Sequence, residues 1–221
     1  MDVLEVKKQI ISVVKREYAV GMVNMFEGNV SAKFEGRYFI TPSQIAKETM
    51  TEDMIIEVDE DGNTIDAPRG YRASSEVKMH LEVYRLRPDV NAVVHNHSVY
   101  ATAFAMNSMP IKSDQLTEMN LTFGMVPVIP YGTPGTDQIY RKFVDYLEDY
   151  HGVLLANHGL LTFGRTPELA FSYAEAIEKI AKTIYVAKHL GKGLSIPTEE
   201  LDRLRDFGKK VRENEINNTL K

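Results

Sequence analysis

The chain has 221 residues, of which 43% are hydrophobic and 26% are charged, and its formal net charge is −5. This composition is typical of a globular protein, and it argues against a disordered chain or a nucleic-acid-binding surface. The chain has no cysteine, so any metal must be held by His, Asp, Glu or water. The first residues lack the apolar core of a signal peptide and no apolar run is long enough to span a bilayer, so we expect a cytoplasmic protein without a membrane partner.

Apolar periodicity and turn signals predict the elements of the first half of the chain. Residues 74–87 are expected to form a helix with Ser as its N-cap and Glu76 in its first turn. The other predicted elements are an amphipathic helix at 3–20, hairpins at 30–34 with 37–41 and 54–58 with 64–65, a strand at 92–95 and a helix at 99–106.

In the second half, the same signals predict elements at 114–121 (helix), 126–129 (strand), 136–149 (helix), 153–155 and 160–163 (strands), 167–190 (helix) and 198–215 (helix). Hairpins interleaved with helices, without regular β-α-β alternation, indicate an α+β or α/β domain with a largely antiparallel sheet. No linker or repeat divides the chain, so we expect one domain over residues 1–221.

Three histidines follow apolar runs. His95 and His97 end the strand at 92–95, and alternation along a strand places both on one side, with Asn96 on the other as a structural residue. His158 ends a second apolar run before Gly159. A single histidine at a strand end is usually only a polar residue meeting solvent, but three together match the ligand set of a catalytic zinc with one open position. The other histidines are interpreted as structural: His80, His151 and His189.

Glu76 is the best candidate for a general acid or base, although helix capping alone also explains an acid in a first turn. Ser74 and Ser75 precede it and place hydroxyl and N–H groups at a helix N-terminus, which favours an anion. Asn29 and Ser43 stand on turns and complete a candidate phosphate site. Turn composition by itself also accounts for these residues.

Five motifs, in this order and spacing, resemble the class II aldolase/epimerase superfamily, and most closely its fuculose-phosphate aldolases. The motifs are Gly28-Asn29-Val30-Ser31, Thr41-Pro42-Ser43, Ser74-Ser75-Glu76, His95-Asn96-His97 and Asn157-His158-Gly159. The resemblance implies a three-layer αβα fold with a central, mainly antiparallel sheet, assembled as a homotetramer with sites at subunit interfaces. It also implies reversible retro-aldol cleavage of a phosphorylated ketose to dihydroxyacetone phosphate and an aldehyde, through an enediolate stabilised by zinc.

The resemblance further implies roles for individual residues. Glu76 matches the catalytic acid/base, which lies close enough to the metal to bind it before substrate does. The matched ligands of Zn²⁺, or of Mn²⁺ or Co²⁺ in its place, are His95, His97 and His158. The matched phosphate-binding residues are Asn29, Ser43, Ser74 and Ser75.

The chain departs from the fuculose-phosphate aldolases at three places. Gln44 replaces a glycine, Phe207 stands where a C-terminal tyrosine is expected, and the segment 110–116 lacks the tyrosine that donates a proton to the aldehyde. Asp114 is the nearest catalytic candidate in that segment, and epimerase members use an aspartate in this region. A pentulose-phosphate 4-epimerase and a decarboxylase or dehydratase of a sugar-acid phosphate therefore remain alternatives. A non-catalytic interaction protein is disfavoured by the intact histidines and Glu76.

Overall fold

The computed structural model describes residues 2–219, and the side chains of residues 2–68 and 70–214. The helices are α1 (Val3–Ala19), α2 (Val77–Leu86), α3 (Val99–Met106), α4 (Pro167–Leu190) and α5 (Thr198–Thr219). The strands are β1 (Asn29–Phe34), β2 (Arg37–Ile40), β3 (Ile56–Val58), β4 (Thr64–Asp66), β5 (Ala92–Asn96), β6 (Val128–Ile129), β7 (Gly152–Leu155) and β8 (Gly159–Gly164).

The strands form one sheet in the order β4-β3-β2-β1-β5-β8-β7-β6. Of the neighbouring pairs in that sheet, only β6 and β7 run parallel, and the others are antiparallel. Strand β5 is buried along its whole length between β1 and β8. The functional site is built at the end of this central strand.

The side chains of β5 alternate between the two faces of the sheet. Ala92 and Val94 pack in a core cluster with residues of α1, α3 and α4, whereas Val93 packs in a second cluster with residues of α2. Helices therefore cover both faces. The predicted three-layer fold with a mainly antiparallel sheet is confirmed.

Local signals in the sequence set where the long helices begin. Asp2 caps α1 by accepting a hydrogen bond from the Glu5 amide at 2.9 Å, and Thr166 caps α4 through the Leu169 amide at 3.2 Å. Pro167 occupies the first turn of α4, where its missing N–H costs no hydrogen bond. Within residues 2–219, none of the helices is long and apolar enough to cross a membrane.

The helix predicted at 136–149 is wrong. The segment contains two short 3₁₀ turns, Asp137–Ile139 and Phe143–Asp145. Ile139, Phe143 and Leu147 are buried at helical spacing, which explains the pattern. Aromatic and β-branched residues give the segment a weak intrinsic preference for helix. In addition, the buried guanidinium of Arg87 bonds to the carbonyl oxygens of Leu147 and Tyr150.

The helix predicted at 114–121 is also wrong, because the helical part is a π-helical turn at Met119–Phe123. The side-chain amide of Asn120 donates to the carbonyl oxygens of Ser113 and Leu116, at 2.7 and 2.9 Å. The Leu116 carbonyl is the group that the Asn120 backbone N–H would bond in an α-helix. A local side-chain bond therefore replaces the regular one.

Candidate functional site

The three histidines of the predicted metal site lie together at one end of the sheet. His95 is in β5, His97 directly follows that strand, and His158 lies in the turn between β7 and β8. Their ring centroids are 4.7 to 5.0 Å apart, and one ring nitrogen of each lies within 4.8 Å of the others. The antiparallel pairing of β5 with β8 brings residues distant in sequence to one point.

The hydrogen bond of His95 fixes which ring nitrogen faces the cluster. Its Nδ1 lies 2.9 Å from the carbonyl oxygen of Leu160, which can only accept a hydrogen bond, so Nδ1 carries the proton. The lone pair on Nε2 is then directed to the other histidines. Burial lowers the pKa of His95 to about 3, and the Glu76 carboxylate only partly opposes that shift. His95 is therefore neutral at pH 7, the form that binds metals.

His97 lies between a carboxylate and the ring of His95. Its Nδ1 lies 3.7 Å from the Glu27 carboxylate, and its Nε2 lies 3.2 Å from Nε2 of His95. Nitrogens bound to one tetrahedral zinc at 2.0–2.1 Å are about 3.3 Å apart. The two ring nitrogens are therefore at the separation that a shared metal ion needs. The donor set therefore fits a divalent metal.

The Glu76 carboxylate lies against two of these histidines. Its Oε1 is 3.4 Å from Nε2 of His158, and its Oε2 is 3.5 Å from Nε2 of His95. The side-chain amide of Asn29 donates to Oε2 at 2.8 Å. Burial raises the pKa of Glu76, but the histidines and the Asn29 hydrogen bond together outweigh it and lower the pKa below its usual value. An ionised carboxylate thus stands beside the ring nitrogens of the histidine cluster.

The predicted serine cap of α2 is wrong, and the correction bears on Glu76. Glu76 itself is the N-cap residue, and its side chain makes no capping hydrogen bond within the described chain. The helix begins at Val77, and the Ser74 hydroxyl accepts from the Glu76 amide at 3.3 Å. Because the carboxylate is turned to Asn29 and the histidines, capping does not explain the acid at this position.

The four candidate phosphate residues are carried by neighbouring segments. The Ser43 amide donates to the Arg72 carbonyl oxygen at 2.8 Å, and the Ser74 amide donates to the Thr41 carbonyl oxygen at 3.3 Å. The Thr41 hydroxyl accepts from the amide of Val30, the residue after Asn29. Ser75 is exposed, and Ser74 is buried. The turn before Gln44, the start of β1 and the start of α2 are thereby held together.

Gln44 has an unusual backbone conformation. Its φ of 57° lies in the left-handed region, which favours glycine. A residue with a side chain costs about 1–2 kcal/mol in this conformation. The resemblance to fuculose-phosphate aldolases predicts a glycine at this point, and the turn has a glycine-type geometry although it carries an exposed glutamine side chain.

Asp114 has its contacts elsewhere in the chain. Its carboxylate accepts a hydrogen bond from the Ser195 hydroxyl at 2.6 Å, and its carbonyl oxygen accepts from the Ile196 amide. Asp114 lines a cavity of about 610 Å³ with residues of the C-terminal part of α4. The structure therefore does not bring Asp114 to the histidines of its own chain.

The three other histidines lie outside the cluster. His80 is buried and bonds to Ser31 at 2.7 Å, His151 stacks on a tyrosine ring, and His189 is exposed on α4. Sequence reasoning missed Glu27, the carboxylate behind His97. Its position directly before the Gly28-Asn29 motif was the available signal.

Gly159 permits the close approach of β5 and β8 at the site. A Cβ at this position would lie 2.5 Å from the Asn96 carbonyl oxygen and 2.7 Å from Cδ2 of His97. We expect Gly159→Ala to displace His97 and to weaken Zn²⁺ affinity by about 10–100-fold, as loss of a supporting contact does at metal sites. A competition titration with a chromophoric chelator measures this affinity.

Gly152→Ala is the matched control in the same hairpin. There a Cβ would meet side-chain ends, Cδ1 of Ile177 at 2.9 Å and Cγ2 of Thr162 at 3.0 Å. We expect Gly152→Ala to lower the melting temperature and to keep the Zn²⁺ affinity. Equal affinities for the two alanine variants would contradict the role given to Gly159.

Comparison with known proteins places the chain in a family. Residues 8–185 match the family model described as Class II Aldolase and Adducin N-terminal domain. A 5-deoxy-D-ribulose 1-phosphate aldolase of Bacillus thuringiensis serovar kurstaki is 34% identical, over 90% of this chain and 92% of the relative. A 5-methylthioribulose-1-phosphate/5-deoxyribulose-1-phosphate aldolase of Escherichia coli O45:K1 is 33% identical, over 82% and 84%. A solved structure of an L-fuculose 1-phosphate aldolase superposes with a TM-score of 0.82 at 30% identity, and covers 91% of this chain and 95% of its own.

Proposed function

Because the chain belongs to the family of class II aldolases and adducin N-terminal domains, we propose that it is a metal-dependent lyase that cleaves a phosphorylated ketose by a retro-aldol reaction. The observation that carries the proposal is the ionised Glu76 carboxylate, 3.4 and 3.5 Å from ring nitrogens of His158 and His95. A base beside a metal-binding site is what proton transfer next to a polarised carbonyl requires.

The metal would be held by His95, His97 and His158. Zn²⁺ is the proposed ion, since it suits neutral imidazole ligands, and Mn²⁺ and Co²⁺ are the alternatives. When bound, the ion supplies a Lewis acid that polarises the ketose carbonyl and stabilises the negative charge that develops next to it. The hydrogen bond to the Leu160 carbonyl oxygen holds the ring of His95 in the orientation that this role needs, and the Glu27 carboxylate lies 3.7 Å behind the ring of His97.

We assign to Glu76 the transfer of a proton to and from carbon 3 of the substrate. Cleavage breaks the bond between carbons 3 and 4: the hydroxyl on carbon 4 loses its proton and becomes the aldehyde, and the bonding electrons stay with the three-carbon fragment. The ionised Glu76 carboxylate takes up a proton from solvent and adds it to carbon 3 of that fragment, which gives dihydroxyacetone phosphate, while the proton lost from the carbon-4 hydroxyl returns to solvent through a second group. In the synthetic direction, the ionised carboxylate removes the same proton, and Asn29 holds the carboxylate in place.

The substrate is proposed to be a ketose 1-phosphate. The names of the three relatives described above all specify ketose 1-phosphates. Asn29, Ser43, Ser74 and Ser75 are assigned to the phosphate, because backbone contacts hold their segments together beside the start of α2. Gln44, next to Ser43, is proposed to contribute to the choice among such substrates.

A second group must take up the proton that the hydroxyl on carbon 4 loses. We assign it to Asp114 of a neighbouring chain in a homotetramer, because Asp114 makes its contacts away from its own histidine cluster. Large apolar side chains that are exposed in one chain support an assembly, among them Phe26 at 80% and Val99 at 66% exposure. Sedimentation velocity measures the assembly, and a monomer would remove this role of Asp114.

A screen of ketose 1-phosphates and 5-phosphates tests the proposed reaction. Dihydroxyacetone phosphate, glycolaldehyde phosphate, carbon dioxide and epimerised substrate are measured in parallel. We expect dihydroxyacetone phosphate from at least one ketose 1-phosphate. Epimerised pentulose 5-phosphate or carbon dioxide, without dihydroxyacetone phosphate, would instead identify an epimerase or a decarboxylase on the same scaffold.

The phosphate role of Ser75 has its own test. Ser75 is exposed at the start of α2, so Ser75→Ala should remove a hydrogen bond to a charged group, worth about 1.5–3 kcal/mol. We expect kcat/KM for a ketose 1-phosphate to fall by about 10–100-fold, while that for the dephosphorylated sugar is unchanged. Ser172→Ala on α4, where the hydroxyl bonds only to the Glu168 carbonyl oxygen, serves as the control. Equal losses for both sugars would refute the phosphate role.

A further inference from the structure

Glu17 is a carboxyl group inside the protein, on the face of α1 that packs against the sheet. Only 1% of its surface is exposed. Its Oε1 accepts a hydrogen bond from the side-chain amide of Asn96 at 3.0 Å. Burial raises the pKa of Glu17 to about 8, although the Asn96 bond and the nearby Lys47 oppose the shift. Burial of this group therefore lowers the free energy of unfolding relative to an apolar residue of similar size at the same position.

Asn96 connects this carboxyl to the metal-binding strand. It stands between His95 and His97 and is fully buried on the opposite side of the sheet. Its Oδ1 accepts from the Ser98 amide at 3.2 Å, so its side chain bridges α1 and the turn that follows His97. The His97 amide in turn donates to the Met22 carbonyl oxygen, just after α1. The backbone on both sides of His97 is thus held by polar contacts from behind the sheet.

These contacts are placed where the backbone leaves the strand. Strand pairing with β8 ends at Asn96, so no ladder hydrogen bond fixes the direction of His97. A small rotation there would move Nε2 of His97 away from Nε2 of His95, which lies 3.2 Å from it. The fixed donor and acceptor of Asn96 prevent this rotation only if the Asn96 amide itself is held. Glu17 accepts from that amide at 3.0 Å, and the sulfur of Met22 is a second and weaker acceptor at 4.0 Å.

We infer that Glu17 is a positioning residue for the metal site, acting through Asn96 on the direction of His97; the inference rests on the proposed role of the histidines as metal ligands. The hydrogen-bond acceptor is the required property of Glu17. A glutamine retains a side-chain oxygen at this position, and a leucine fills a similar volume without one.

The test compares Glu17→Gln and Glu17→Leu for binding of Co²⁺ added alone to the metal-free protein. Co²⁺ reports affinity by titration and ligand geometry by its visible absorption spectrum. We expect Glu17→Gln to bind within about twofold of the natural chain, and Glu17→Leu to bind about 10–100-fold more weakly with an altered spectrum. If Glu17→Leu does not fold, Asn96→Ala combined with Glu17→Gln removes the same contact without leaving a charge, and the same loss is expected.

Thermal melting separates this role from stability. The pKa of Glu17 is raised, so the folded chain binds more protons than the unfolded chain between pH 4.5 and about 8. The contribution of protonated Glu17 to the free energy of unfolding is therefore lost as the pH rises through that range. We therefore expect Glu17→Gln to melt at the same temperature as the natural chain near pH 5 and at a higher temperature at pH 8.

Two outcomes would overturn the inference: an unchanged Co²⁺ affinity and spectrum in Glu17→Leu, or an equal loss in both variants. In either case Co²⁺ binding by the natural chain would leave the proposed function standing. Failure of the natural chain itself to bind Co²⁺ would instead contradict the proposed function.

Discussion

Replacing His97 with alanine is expected to remove tight metal binding and to leave the fold intact. His97 follows the end of β5, and 23% of its side chain is exposed, so its loss opens no closed cavity in the core. Its Nε2 nevertheless lies 3.2 Å from Nε2 of His95, the second proposed ligand. Zinc sites owe about 10–16 kcal/mol to about four ligands, or about 2.5–4 kcal/mol for each, so the loss of one is expected to weaken affinity by about 10²–10³-fold.

Two measurements check this expectation. Mass spectrometry gives the metal content after gel filtration, and thermal melting of the metal-free protein reports the fold. His189→Ala is the matched control, because His189 is exposed on α4 and bonds only to the Tyr185 carbonyl oxygen of its own helix. The control should keep its metal. Full metal occupancy in His97→Ala would show that the ligand assignment is wrong.

Replacing Glu76 with glutamine is expected to lower turnover by about 10²–10⁴-fold, the usual contribution of a positioned acid or base. Glutamine has the same shape, and its oxygen can still accept from the Asn29 amide, so the local structure should be preserved. What is lost is the negative charge and the ability to take a proton. Metal affinity is expected to change far less than turnover, because the three histidines are untouched.

Steady-state kinetics and metal content, measured on one preparation, check this second expectation. Glu82→Gln is the control on the same helix, where the half-buried carboxylate pairs with the exposed Arg85. A rate near that of the natural chain in Glu76→Gln would leave Glu76 without a role in proton transfer.

The core of the site was predictable because it rests on short-range rules. Alternation along β5 placed His95 and His97 on one side and Asn96 on the other, and Asn96 does face α1. His158 was joined to this pair as a hypothesis because it also ends an apolar run, and the family resemblance then supported that grouping. Strand order, which brings the three together, is not visible in the spacing of residues. The long helices were predictable from their caps and periodicity, as at Thr166-Pro167.

Contacts between segments distant in sequence account for what could not be predicted. The segment 136–149 has helical spacing of buried residues, but Arg87 takes the carbonyl oxygens at its end. In the sequence, Glu17 has the appearance of an ordinary polar residue on an amphipathic helix. Its hydrogen bond to Asn96 becomes visible only when α1 is packed behind β5. The cap of α2 was mistaken because serine is the usual choice there, whereas here Glu76 takes the position and directs its carboxylate to His95 and His158.

The central claim is that this site performs metal-dependent aldol cleavage, and one measurement tests it most directly. The measurement follows the release of dihydroxyacetone phosphate from 5-deoxyribulose 1-phosphate and from L-fuculose 1-phosphate. It is made with the purified protein, with the same protein after EDTA treatment, and with the treated protein after Zn²⁺ is restored. We expect release from at least one substrate, its loss after EDTA and its recovery with Zn²⁺. Release that persists unchanged after the metal has been removed, or no release from either substrate by the Zn²⁺-loaded protein, would contradict the account.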